Sequence, residues 1–227
     1  MFGDQQEKEV IVEEPKVNTK YKPVAWLAHV ISFLFHPVFM PTIMAYAMYR
    51  FVPAYFAGTS PQEYSFRFLL PIFIITAFFP IISVLIMKGL DFIKSVHLYD
   101  PKDRIIPLIT SMVFYFWMYW VFKNINAPFL LQVLALGSFW GVILLFMVNI
   151  FFKVSMHTSG AGGMLGMLIV LMMLSPVSLT LPLFLGLIVA GIIGTARLLL
   201  GAHQPSEIWL GYILGIIVQV GAYLYLV

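Results

Sequence analysis

Long apolar runs with few charges constrain the fold of this chain more than any other feature of its sequence. Between Arg104 and Arg197 the only formal charges are Lys123 and Lys153, and both suit the ends of membrane spans. Charged residues make up 10% of the chain, whereas a soluble domain carries about a quarter. A run of about 20 apolar residues is long enough to cross a bilayer as a helix. The sequence therefore predicts an all-α fold, a polytopic transmembrane helical bundle.

Counting such runs predicts about seven spans, at residues 24–52, 68–87, 105–122, 128–152, 161–174, 181–200 and 208–227. His36-Pro37 and Pro41 interrupt the first run, which is therefore either one kinked helix or two shorter ones. Residues 1–22 are polar and mixed in charge, which predicts a disordered or surface-lying tail with no cleaved signal peptide. A single transmembrane domain, residues 23–227, is expected to follow this tail.

Residues 194–211, GTARLLLGAHQPSEIWLG, place three ionisable side chains between two of the runs. Charges beside a bilayer core are costly, so they usually face protein or water and mark function. His203 and Glu207 are four apart, so on a helix they lie on one face and can touch. Arg197 supplies a fork of donors for an oxyanion, and Pro205 suits the first turn of a helix, whose free amides favour an anion. Headgroup contacts by these side chains are the alternative, but the three together favour a phosphate site.

A second polar cluster occupies residues 88–107, between the second and third spans. Lys102 and Arg104 stand at the start of the third span, where a helix N-terminus and two cations could hold a phosphate. The alternative is a basic cytoplasmic loop that follows the positive-inside bias.

A third cluster, KVSMHTSGAGG at residues 153–163, is expected to lie between two spans and to run into a glycine-rich helix start. His157 could protonate a leaving oxygen near neutral pH. Ser155 could add a hydrogen bond. The alternative for the histidine is an ordinary interfacial residue.

The order of the spans predicts which face these clusters share. Two spans separate each cluster from the next, so all three are expected on the same side of the membrane. With the N-terminus inside, most Lys and Arg residues fall on the cluster side, which favours the cytoplasmic face. If the first run forms two spans, the clusters instead face the outside.

The residues at the start of the third span and those between the sixth and seventh spans resemble motifs of the type 2 phosphatidic acid phosphatase superfamily. The family pattern Ser-Arg-x5-His-x3-Asp is matched by Arg197 and His203, while Ala196 stands for the serine and Glu207 for the aspartate. In the family pattern Lys-x6-Arg-Pro, Arg104 matches the arginine.

The other positions of these patterns differ from the family. His97 stands where the first pattern has lysine, and Ile105 follows Arg104 in place of proline. The family pattern Pro-Ser-Gly-His is matched by Ser155 and His157, with Val154 and Met156 at the remaining positions.

The resemblance implies a six-helix phosphatase-like core that hydrolyses a lipid phosphate or pyrophosphate, with no metal and no cofactor. His203 would attack phosphorus, Glu207 would orient it, and His157 would protonate the departing lipid oxygen. The side chains expected to hold the phosphate are those of Arg197, Arg104, Lys102 and Ser155.

A catalytically impaired member of this fold, which binds or translocates a phospholipid or a polyprenyl phosphate, is the alternative. A solute transporter is disfavoured because the charges lie at span ends rather than near mid-span. The net charge of +3 is small and scattered, which argues against nucleic acid, and zero cysteines exclude a thiol nucleophile. The expected partners are thus a lipid phosphate and the membrane, in a bacterial inner membrane, and the sequence leaves the oligomeric state open.

Overall fold

The structure, a computed structural model, describes residues 22–96, 102–176 and 178–227, and of Lys102 only the backbone. Within these ranges the chain is helical and contains no β-strand. Seven helical segments there are long and apolar enough to cross a membrane: Lys22–Phe51, Pro61–Gly89, Ile105–Asn124, Phe129–Asn149, Met156–Leu174, Thr180–Leu199 and Pro205–Leu226. The prediction of an all-α bundle with about seven spans is confirmed. The predicted tail lies outside the described residues, except for Lys22.

The first span consists of two helices, α1 (Lys22–Leu34) and α2 (Met40–Phe51), joined at His36 and a 3-10 turn over Pro37–Phe39. His36 is extended (φ −63°, ψ 138°), as expected for a residue that precedes proline. Its ring stands beside His157 at one end of the bundle. The 3-10 turn that follows α2 reaches the other end, because the Tyr55 hydroxyl donates to the Leu174 carbonyl at 2.8 Å. The run therefore crosses the bundle once, with a break.

The second span begins at Pro61 rather than at residue 68 and contains two widened turns. Its α-helical parts, α3 (Pro61–Tyr64), α4 (Leu70–Phe73) and α5 (Phe79–Gly89), are separated by π-helical turns at Ser65–Leu69 and Ile74–Phe78. Each π turn lies just before an internal proline, whose ring would otherwise clash with the preceding turn. Pro80 cannot donate to the Thr76 carbonyl, and the Tyr115 hydroxyl donates to that carbonyl instead, at 3.3 Å.

The remaining spans are single helices: α6 (Ile105–Asn124), α7 (Phe129–Phe151), α8 (Met156–Leu174), α9 (Thr180–Leu199) and α10 (Pro205–Leu226). The start of α8 corrects the sequence prediction, because the helix begins at Met156 and not near residue 161. Ser155 is its N-cap and accepts a hydrogen bond from the Thr158 amide at 3.4 Å. His157 therefore lies in the first turn of a helix rather than in a loop.

Helices α8 and α10 pack backbone to backbone along a row of glycines, Gly162, Gly166, Gly211 and Gly215. A Cβ added at Gly162 would lie 2.9 Å from the carbonyl carbon of Tyr212, and one added at Gly211 would lie 2.8 Å from the carbonyl oxygen of Ser155. Any side chain larger than hydrogen would force the helices apart. Small residues at four-residue spacing allow such close approach between membrane helices.

Candidate functional site

The three polar clusters of the sequence meet at one end of the bundle. Lys153 Nζ donates to the Ala202 carbonyl at 3.1 Å, and the Ser155 amide donates to the Glu207 carbonyl at 3.3 Å. These bonds join the start of α8 to the start of α10. Arg104, at the start of α6, donates to the Val154 carbonyl at 3.2 Å. The segments that precede three different spans thus form one connected surface.

A sharp turn after α9 positions the histidine of this surface. Gly201 has a positive φ of 61°, which glycine adopts without the steric cost of a side chain. The Gly201 amide donates to the Leu198 carbonyl at 2.9 Å, and the Ala202 amide donates to the Arg197 carbonyl at 3.2 Å. This is the Schellman arrangement that ends many helices. It turns the chain back so that His203 follows directly after the end of α9.

His203 and Glu207 form a close pair. Nδ1 of His203 lies 2.6 Å from Oε2 of Glu207. The expected contact is present, although its origin differs from the prediction, because His203 precedes α10 rather than lying on it. Glu207 is instead part of a capping box: the Gln204 side chain accepts from the Glu207 amide, and the Glu207 carboxylate accepts from the Gln204 amide. Two amides at this helix start are therefore already satisfied by protein.

The protonation of His203 follows from these contacts. Because Nδ1 donates to the carboxylate, the neutral ring carries its lone pair on Nε2. Burial lowers the pKa of His203 from its ordinary 6.5 to about 3, and the positive charges of Arg197, Arg104 and Lys153 act in the same direction. Glu207 acts in the opposite direction. The ring is therefore a neutral base near pH 7, surrounded by three cations.

Arg197 and His157 are connected through a residue of the first span that the sequence analysis did not identify. Nη1 of Arg197 donates to the Ser32 hydroxyl at 3.3 Å. Nε2 of His157 lies 3.0 Å from the Ser32 carbonyl oxygen. Since a carbonyl oxygen only accepts, His157 carries a proton on Nε2. His157 can therefore release a proton from Nδ1 only after that nitrogen has also been protonated.

Arg104 is 4% exposed, and a side chain of α7 helps to hold it. Its Nη1 is 3.4 Å from Oδ1 of Asn149 and also reaches the Val154 carbonyl. Asn149 is itself buried. It is not among the residues predicted from the sequence, although an amide inside an apolar run is the kind of polar group that marks a partner within the bundle. The side chain of Lys102, also expected here, lies outside the described residues.

Met156 and Ala196, which differ from the phosphatase motifs, and Ser155, which matches them, have structural roles of their own. Met156 packs against the apolar cluster of Leu108, Leu145 and Val154. Ala196 packs with Ala28, at the contact between α9 and α1. Ser155 is fully buried and caps α8. The Ser155 hydroxyl, which was predicted to bind phosphate, is therefore already engaged with the Thr158 amide.

His36 also lies in this region, next to His157. The two ring centroids are 5.1 Å apart, and the rings stand edge to face at 82°. Nδ1 of His36 is buried and has no hydrogen-bond partner among the described residues. The sequence analysis treated His36 only as part of a helix break. A histidine inside an apolar run is nevertheless an ionisable group of the kind that usually faces protein or water in a membrane protein.

A cavity of about 100 Å³ lies inside the membrane part of the bundle, next to this polar end. Its walls come from α2, α6, α7, α8 and α10 and from the break in the first span. Pro37, which follows His36, and Met156, which precedes His157, both line it, together with Met40, Gly160, Gly163 and Gln219. Most of this lining is apolar, which suits a hydrocarbon chain.

The charges at the polar end suit an anion. The charges of Arg197, Arg104 and Lys153 act electrostatically on His203, and Glu207 is the carboxylate bonded to it. In the described ranges no group of three or more His, Cys, Asp or Glu side chains is arranged to hold a metal ion. The excess of positive charge favours an anionic ligand.

No protein-family model, no curated protein and no solved structure matches the chain. The likeness to the type 2 phosphatidic acid phosphatases rests on the motif residues themselves.

Proposed function

We propose that this chain is an integral membrane phosphatase that removes phosphate from a lipid phosphate or pyrophosphate through a phosphohistidine intermediate. The observation that carries the proposal is the His203–Glu207 pair among three cations. A neutral imidazole with its lone pair on Nε2 is a nucleophile, and a carboxylate on Nδ1 both orients the ring and stabilises its developing positive charge.

The reaction would proceed in two displacements. Nε2 of His203 attacks phosphorus, and the bond between phosphorus and the lipid oxygen breaks. The electron pair of that bond goes to the lipid oxygen, which takes the Nδ1 proton of His157 in its doubly protonated form. Water then attacks phosphorus and gives a proton back to Nδ1 of His157. The bond between phosphorus and Nε2 breaks, its electron pair returns to Nε2 of neutral His203, and inorganic phosphate leaves. The low pKa of His203 keeps it unprotonated for the first step.

The cations would act on the transition state of both displacements. Negative charge is spread over the three equatorial oxygens of the transferring phosphoryl group. Preorganised donors at those oxygens stabilise the transition state without reorganisation. Arg197 and Arg104, held by Ser32 and Asn149, fill this role. Lys102 is proposed to assist them.

The location of the site supports a lipid substrate. A headgroup at the polar end would leave its hydrocarbon chain next to the apolar cavity near Pro37 and Met156. We place the protein in a bacterial inner membrane with this end toward the cytoplasm, because cytoplasmic loops carry an excess of Lys and Arg. The cations on that side are Lys8, Lys16, Lys20, Lys22, Lys88, Lys94, Lys102, Arg104, Lys153 and Arg197, against Arg50, Arg67 and Lys123 on the other.

A second candidate is a protein of the same design that binds or translocates a phospholipid or polyprenyl phosphate without cleaving it. The observation that favours it is the use of site groups within the protein. Ser155 caps α8, and Nε2 of His157 is bonded to the Ser32 carbonyl. A site whose proton donor is held in this way could retain binding and lose turnover.

Phosphate release by the detergent-purified protein distinguishes the two candidates. The substrates are phosphatidate, phosphatidylglycerol phosphate, undecaprenyl pyrophosphate and lipid A, each with EDTA present, and His203→Ala is the control. The phosphatase proposal expects release that survives EDTA and is lost in the variant. Monodisperse protein that releases no phosphate from any of them, but still co-purifies with lipid, would support the binding candidate instead.

A further inference from the structure

The break in the first span brings a third histidine to the site. His36 lies between α1 and α2, where the backbone is extended and no helix hydrogen bond is made by the proline that follows. Ser32, one turn earlier in the chain, already contacts both Arg197 and His157. The first span therefore supplies groups to a surface that otherwise consists of the starts of α6, α8 and α10 and the end of α9.

The ring of His36 is held in place by its neighbours. It stands edge to face with His157 at 5.1 Å and with Phe39 at 6.3 Å, in two contacts at 82° and 69°. Arg197 also interacts with His36 electrostatically. A ring held by one aromatic and one imidazole neighbour has little freedom to find another partner.

Nδ1 of this ring is buried without a partner among the described residues. A buried nitrogen that makes no hydrogen bond has lost its contacts with water without gaining one with protein, which is unfavourable. A bound ligand can supply the hydrogen bond that such a nitrogen lacks. The cationic surroundings select an anion, and an anion accepts hydrogen bonds rather than donating them. The nitrogen that meets it must therefore carry the proton.

We propose that Nδ1–H of His36 donates a hydrogen bond to a phosphate oxygen of the bound lipid headgroup. His36 is then a substrate-binding residue contributed by the break in the first span. The inference rests on the proposed function in one respect, namely that the ligand of the site is a phosphate-bearing lipid.

Three variants of the full-length protein separate the two ring nitrogens. In His36→Asn the side-chain amide nitrogen falls near the position of Nδ1, in His36→Gln it falls near that of Nε2, and His36→Leu has neither. The control is His29→Asn, since His29 lies on α1 with an exposed side chain. The probes are inorganic phosphate and orthovanadate, measured by the shift of thermal unfolding that they cause, alongside KM and kcat for phosphatidate.

We expect His36→Leu and His36→Gln to weaken phosphate and orthovanadate binding about tenfold, the effect of one hydrogen bond of about 1.4 kcal/mol. His36→Asn and His29→Asn are expected to stay within about threefold of the unaltered protein, by the same scale. KM should rise with Kd, while kcat changes less.

Several outcomes overturn the inference. Binding in His36→Leu that equals the unaltered protein removes any role in the site. If His36→Gln retains phosphate binding and His36→Asn loses it, the contact is made by Nε2. If all three variants lose phosphate binding equally, His36 has only a packing role. If the unaltered protein turns over no lipid, the phosphatase proposal fails, but the binding comparison still tests His36.

Discussion

The carboxylate of Glu207 has two partners, because Oε2 lies 2.6 Å from Nδ1 of His203 and also accepts from the Gln204 amide at 3.4 Å. The capping box requires Glu or Gln at the third helical position, since a shorter side chain does not reach back to the N-cap amide. The phosphatase motif that this stretch resembles has aspartate at this position. The length of the glutamate side chain therefore suits a histidine that lies before the helix rather than on it.

Substitutions at Glu207 should separate its charge from its capping role. Glu207→Gln keeps the capping oxygen but loses the charge, so we expect phosphate release to fall on the order of a hundredfold with little change in thermal unfolding. Glu207→Ala should lower release similarly and also cost about 1 kcal/mol of stability through the lost cap. Glu207→Asp activity equal to that of the unaltered protein would contradict the geometric match.

The depressed pKa of His203 predicts how stability depends on pH. In the unfolded chain the histidine takes up a proton near pH 6.5, whereas in the folded protein it does so only near pH 3. Between these values the unfolded state binds more protons, so the free energy of unfolding falls as the pH falls, by at most about 1.4 kcal/mol per pH unit. We expect His203→Gln to have a shallower slope in denaturant unfolding between pH 7 and pH 4. Parallel slopes would argue against a buried neutral ring.

Asn149 should matter through Arg104. Replacing it by Leu removes one partner of a buried guanidinium, so we expect a loss of about 1–3 kcal/mol of stability and a higher KM for phosphatidate. Asn124→Leu is the matched control, because that amide is exposed and bonds to the Trp120 carbonyl of its own helix. Equal effects of the two substitutions would remove Asn149 from the site.

A side chain that fills the membrane cavity should affect the KM of lipid substrates according to the length of their hydrocarbon chains. A Cβ added at Gly163 meets no atom within 4 Å, so Gly163→Leu can project into the cavity without a clash at its first carbon. We expect a higher KM for long-chain phosphatidate and an unchanged KM for a water-soluble short-chain analogue. The control is Gly191→Leu, which also meets open space but lines the separate depression between α1 and α9. If long and short chains respond alike, the cavity does not receive the tail.

The glycine row can be tested with two adjacent residues of α8. We expect Gly162→Ala to destabilise the protein by about 1–3 kcal/mol through overpacking, because its new Cβ would meet the backbone of Tyr212. Gly163→Ala faces open space and should stay within about 1 kcal/mol of the unaltered protein. Thermal unfolding in detergent measures both. Similar losses in the two variants would mean that the helices are not in close contact there.

The helices and much of the polar end could be predicted from the sequence because bilayer physics acts locally. Apolar runs of sufficient length form spans wherever they occur, and ionisable groups beside them indicate shared surfaces. Arg104, His157 and His203 were identified in this way. The start of α8 was misplaced because Ser155 caps the helix six residues before the apolar run begins.

The remaining site residues depend on long-range contacts. Ser32 contributes a backbone carbonyl and a hydroxyl to partners more than a hundred residues away, and its own surroundings in the sequence contain no sign of them. Asn149 is marked in the sequence as an amide inside an apolar run, but its partner Arg104 is 45 residues away, at the start of another helix. Only the packing of α1 against α9, and of α6 against α7, brings these groups together.

The glycine row between α8 and α10 also limits the structural changes that can disrupt the polar end. Two helices in backbone contact can shift along each other only by a step that brings the next small residue into the gap, four residues or about 6 Å. A shift of that size separates the Ser155 amide from the Glu207 carbonyl completely. Damage to the row should therefore reduce the number of competent molecules and leave the turnover of each remaining molecule unchanged.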